Sequence, residues 1–93
     1  MFMLYEYLRE LFRRENLFAV HRIDSYSFRP DFENKLVRMK FHKFEKKGTI
    51  TISPNRYNTY DIHIYVEEEL KYLICGVKLN DIAKKVQDLL TRL

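Results

Sequence analysis

The chain has 93 residues, 46% of them hydrophobic and 15% aromatic, with two glycines, two prolines and one cysteine. That is one domain's length with an ordinary share of core-forming side chains, which excludes a disordered polymer, a collagen-like repeat and a disulfide-stapled scaffold. The net charge is +4 and the isoelectric point about 9.2, an excess too small to define a partner by itself.

The first segment, to Asn16, predicts a helix. Leu4, Leu8, Leu11 and Phe12 recur at spacings of three and four, and Phe2 and Tyr5 widen that stripe. Glu6, Arg9, Glu10, Arg13 and Arg14 take the remaining surface, with Glu10 and Arg14 at a favourable i,i+4 spacing. The apolar start is followed at once by Glu6 and preceded by no basic region, so no signal peptide is expected. Together with the single cysteine this points to a reducing, cytoplasmic setting.

Residues 17–28 turn β-branched, aromatic and small, which predicts a strand. Arg22 and Asp24 fall in register with Phe18 and Val20, so a bulge or strand end is expected near His21. Arg29-Pro30-Asp31 should break the element, because proline cannot donate to a ladder. Residues 35–44 alternate cleanly, with Val37, Met39 and Phe41 on one side and Arg38, Lys40 and His42 on the other.

Glu45-Lys46-Lys47-Gly48 reads as a turn, 49–53 as a strand, and Pro54-Asn55-Arg56 as the next turn. A strand over 57–66, a Glu67-Glu68-Glu69 hairpin tip and a return strand over 70–77 complete the sheet. Asn80 is placed to cap a final helix whose stripe is Ile82, Val86, Leu89, Leu90 and Leu93. Asp81 and Arg92 sit at the dipole ends that suit their charges.

The expected fold is therefore a single α+β domain over 1–93: a helix, an antiparallel meander of four to five strands, and a helix. Both amphipathic helices should cover one sheet face as a two-layer sandwich and leave the other open. In element order this resembles the small RNA-binding α-β-β-β-α modules of signal-recognition-particle Alu-domain proteins.

Charge is distributed in blocks. From 35 to 56 there are seven basic residues against Glu45 alone, a local +6; from 57 to 69 there are four acids and no base, a local −4. On the open face Arg38 and Lys40, with His42, Lys43, Lys46 and Lys47, could follow a phosphate backbone beside Thr49 and Thr51. His63 and Tyr65 continue that face, and Tyr65 or Phe44 could stack on a base. The expectation is a small non-catalytic binding protein that contacts nucleic acid, or a protein that handles it, through this basic face. The alternative is a regulator or inhibitor of the phage or mobile-element kind that pairs its sheet edge with a target protein. Adjoining blocks of opposite charge also allow a homodimer.

Two chemical readings compete with binding. Asp61 followed by Glu69-Leu70-Lys71 fits the spacing of a Mg²⁺-dependent nuclease, with carboxylates holding the ion and a lysine steering water. His21, His42 and His63, with Asp61, supply zinc-type ligands if the strands bring them together. Cys75 lies in an apolar run and is expected to be a buried, inert thiol, with Gly76 allowing close helix packing. Phosphate-binding and dinucleotide motifs are missing from the sequence, and no apolar run reaches the length of a membrane span. No cofactor or small-molecule substrate is expected.

Overall fold

A computed structural model describes residues 2–93, apart from the side chain of Phe2; Met1 and that side chain, which the helix stripe included, lie outside the described residues. Helix α1 spans Phe2–Arg14 and a short helical turn, α2, spans Leu17–Val20. Five strands follow: β1 (Ile23–Asp31), β2 (Leu36–Lys43), β3 (Lys46–Pro54), β4 (Tyr60–Val66) and β5 (Glu69–Val77). A 3₁₀ turn at Leu79–Asp81 leads into α3, Ile82–Thr91.

The strands lie in chain order, each antiparallel to the last, so the sheet is an open meander with β1 and β5 at its edges. Leu8 and Phe12 of α1 and Val86, Leu89 and Leu90 of α3 share one buried cluster with Val37, Met39 and Phe41. Ile50, Ile52, Ile62 and Ile64 join the same cluster, so both helices cover the same sheet face. The α+β two-layer arrangement expected from the alternation is the one observed.

Boundaries differ from the sequence reading in instructive ways. Residues 17–20 are helical rather than extended. Asn16 adopts a left-handed φ of 59°, ends α1 and lets the chain restart with Leu17 buried. Phe18 then meets Phe28 edge-on at 5.6 Å, and Phe28 meets Phe12 at 5.4 Å, an aromatic knot that anchors β1 beneath α1. Arg29-Pro30-Asp31 does not break β1. It is an edge strand, where a residue without an N–H is tolerated.

The hairpin turns are tighter than expected. Phe44 and Glu45 alone join β2 to β3, with φ of 52° and 64°, so Lys46, Lys47 and Gly48 are strand residues. Gly48 sits opposite Phe41, whose ring occupies the space a Cβ would need. Glu67 and Glu68 make the equivalent turn before β5, with φ of 51° and 69°. β4 starts at Tyr60, not at Tyr57.

Asn80 does not cap α3. It lies inside the 3₁₀ turn, and Asp81, at the N-cap position, makes no side-chain cap bond. Cys75 is exposed, not buried, because β5 is an edge strand with a bulge beside it. Gly76 has a φ of 74° and open space around it, so the bulge rather than helix packing explains this glycine.

Candidate interface on the open sheet face

Register turns the open face into transverse rows. Directly opposed residues in an antiparallel pair share a face, so pairings can be followed from strand to strand. One row runs Arg29–Arg38–Thr51–His63–Leu73, the next Asp24–Lys40–Thr49–Tyr65–Leu70, and His42 stands opposite Lys47 beyond them. Each row thus passes from charge at β1 and β2, through hydroxyls on β3, to rings on β4 and leucines on β5. Arg38, Lys40, His42 and Lys47 are exposed, as the alternation of β2 and β3 requires.

The β1 end of these rows is shaped by a large irregularity. Between the pairs Asp24–Lys40 and Arg29–Arg38, β1 carries four residues where β2 carries only Met39. The excursion is stapled by its own side chains. The Ser27 hydroxyl donates to the Asp24 carbonyl and accepts from the Lys40 backbone N–H at 2.8 Å, and the Tyr26 N–H donates to Asp24 Oδ1. Arg29 Nε donates to the Tyr26 carbonyl, and Arg9 reaches up from α1 to the Ser25 carbonyl at 2.9 Å. Phe28 is thereby pushed into the core while Tyr26 is left 85% exposed.

Phe32, in the β1–β2 turn, is 61% exposed, and together with Tyr26 it flanks Arg29, Arg38 and Lys40 around an open depression of ≈ 540 Å³. Arg38 Nη1 pairs with Asp31 Oδ2 at 3.3 Å. The Asn34 side chain and N–H donate to Asp31 and, followed by the Arg38 charge, hold its carboxyl below the ordinary carboxylate value. This carboxylate orients the guanidinium; both side chains keep solvent contact, so the pair adds little stability.

At the centre of the face, the rings of His63 and Tyr65 lie parallel, 7° apart in tilt, with centroids 6.2 Å apart. His63 Nδ1 is buried and lacks a hydrogen-bond partner among the described residues. An unsatisfied buried nitrogen in a polar depression is a ready contact for an incoming donor or acceptor.

Of the residues singled out in the sequence, the fold gathers Arg38, Lys40, His42, Lys47, His63 and Tyr65 on the open face. Lys43 and Lys46 are separated from them. They pair with each other on the register of Phe41 and Gly48, the helix side, and Lys43 Nζ donates to the Leu90 carbonyl at the C-terminal end of α3. Lys43 is therefore a helix-end cation rather than part of the basic face. Phe44 projects from the hairpin tip, 76% exposed, with the Lys43 ammonium over its ring at 5.3 Å. The strand end expected near His21 is present, since α2 ends at Val20 and β1 begins at Ile23. Arg29, Tyr26 and Phe32 were not singled out, because the excursion between Asp24 and Arg29 is a second irregularity that the pattern did not reveal.

The nuclease-type trio does not come together. Asp61 Oδ1 accepts from the Asn55 amide at 3.0 Å and from the Gly76 N–H at 3.3 Å, a structural role at one end of β4. Glu69 pairs with Val66, five residues away or about 16 Å along the strand. Lys71 is bridged to Glu69 at 3.4 Å. His42 and His63 are also apart: His63 lies opposite Thr51 and His42 opposite Lys47, about 13 Å further along β3, and His21 shares a groove with His42 alone. Among the described residues, no group of three or more His, Cys, Asp or Glu is placed to hold a metal ion, and no helix is long and apolar enough to cross a membrane. Comparison of the chain with protein-family models, curated proteins and solved structures returns no match.

Proposed function

We propose that the chain is a non-catalytic, cytoplasmic binding module whose open sheet face takes a single-stranded nucleic-acid segment. One observation carries this reading: Arg29, Arg38 and Lys40 stand together at one end of an uncovered sheet, flanked by the exposed rings of Tyr26 and Phe32. Cations follow the phosphates, and rings stack on bases of any identity. A single strand suits this surface better than a duplex. The rings can meet bases only if the bases are unpaired, and α1 and α3, packed on the opposite face, offer no helix to a groove. His63, Tyr65 and the threonines of β3 extend the track across the sheet.

Fluorescence anisotropy with labelled single strands and duplexes, over a range of salt, tests the reading. Four contacts, from Arg29, Arg38, Lys40 and Lys47, give a log–log salt slope of about −2.8, and Arg38→Ala with Lys40→Ala reduces its magnitude by about 1.4. Tyr26→Ala should weaken single-strand binding by roughly tenfold and leave the slope unchanged. Absence of binding at low salt, or a slope indifferent to the double substitution, would overturn it. A second reading, a regulator or inhibitor that adds a target protein's strand to the sheet, is favoured by the leucines on β5, 46% and 49% exposed.

A further inference from the structure

The two sheet edges are not equivalent. β1 is guarded against strand addition by its stapled excursion and by Pro30. β5 presents nine residues with a free edge, and Leu70 and Leu73 on the open face are about half exposed. Its regular stretch, 72–74, lies between two bulges, one at Lys71 and one at Cys75-Gly76. Leu73 is near the midpoint.

We infer that β5 pairs with β5 of a second copy of the chain, antiparallel about a two-fold axis at Leu73, to form one ten-stranded sheet. This goes beyond the nucleic-acid reading and does not depend on it. The register follows from three features. Tyr72 and Ile74 share the helix side and are half-buried, so each must face the other, or its like, across the new seam. An axis at Leu73 sets Tyr72 against Ile74 of the second copy and joins the exposed Leu73 to Leu73 of that copy. It also brings each Lys71 bulge opposite the Cys75 bulge, so the extra residue of one strand meets that of the other.

Charge completes the match. The Glu67-Glu68 turn stands at one end of β5, and the exposed, extended Lys78 follows the other end. In this register Glu68 falls opposite Lys78 of the second copy, twice by symmetry. Moving the axis two residues toward Glu69, onto Lys71, would oppose the two Lys71 ammonium groups, which disfavours that alternative.

The test is association of the full chain, followed by sedimentation velocity or light scattering over a wide concentration range. Wild type should approach twice the 11.5 kDa chain mass as concentration rises. Leu73→Glu should weaken the dimer by roughly tenfold or more, because it puts two carboxylates on the axis; its circular dichroism melt, expected to be near wild type, separates this from unfolding. Glu68→Lys should weaken association, and adding Lys78→Glu should restore it.

In a Cys75→Ser background, Leu73→Cys should be trapped as a covalent dimer by mild oxidation. Wild type should resist trapping, since its two Cys75 positions lie about 13 Å apart along the seam. A chain that stays monomeric throughout, a dimer indifferent to Leu73→Glu, or wild type that cross-links as readily as Leu73→Cys would each overturn the proposal.

Discussion

On β2, Val37, Met39 and Phe41 are sealed beneath the helices while Arg38, Lys40 and His42, each one residue away, stand on the open face. The covered face is held by shape. Among the described residues, nineteen buried apolar residues from every strand and both long helices form one cluster, and Gly48 is small because the Phe41 ring fills its place. The open face is set by register and by the side-chain staples of the β1 excursion, and its exposed basic side chains contribute little to folding. Substitutions on the first face should therefore report on stability, and substitutions on the second on binding. That contrast allows a binding defect to be told from a folding defect in this chain.

The contrast breaks most visibly at α3. Leu89→Ala removes a side chain that is 2% exposed and should cost about 2–4 kcal/mol in denaturant melts. A loss below about 0.5 kcal/mol would mean that the helix stripe is not core. Gly48→Ala should come next, at about 1–3 kcal/mol, because the new methyl must displace the Phe41 ring or the strand. The hairpin at Phe44-Glu45 should move the other way. Both residues occupy left-handed backbone that side chains resist, so Phe44→Asn with Glu45→Gly should raise stability by about 0.5–1 kcal/mol. Arg38→Ala with Lys40→Ala should shift stability by less than about 0.5 kcal/mol, a result that a thermal melt checks before any binding assay.

Much of this contrast was legible in the sequence. Alternation over 35–44 assigns Arg38, Lys40 and His42 to one face without help, and the stripe of α3 is plain from Ile82 to Leu90. What escaped depended on information that local pattern does not hold. Lys43 follows the β2 alternation onto the helix side, but its cap on Leu90 requires knowing where α3 ends. The two-residue turns carry Phe-Glu and Glu-Glu where glycine or asparagine is the usual signal, so their tightness is imposed by the pairing of the flanking strands. Tyr26 escaped because the four-residue excursion between Asp24 and Arg29 obeys neither helical nor strand periodicity, and Phe32 because it lies in the β1–β2 turn, where no periodicity assigns a face. Cys75 looked buried because its neighbours are apolar, and only strand order makes β5 an edge.

The smallest effect tests the seam between the two faces. His21, between α2 and β1, lines a groove with Arg22, His42, Lys43, Glu45 and Leu90, and its Nε2 is buried without a partner among the described residues. Burial, and then the Lys43 charge, holds the imidazole below its ordinary pKa. The folded chain therefore favours the neutral ring, while the unfolded chain takes up a proton near the ordinary value of about 6.5. Above that pH both states are neutral and the contribution is fully present. As pH falls through it the unfolded state gains protons first, so stability declines toward the folded-state value. Melting temperature should drop between about pH 7.5 and 5.5 more steeply in wild type than in His21→Gln, since only wild type carries this linkage. Superimposable profiles would show that the ring is solvated at both pH extremes, and that the groove between hairpin and helix is wet.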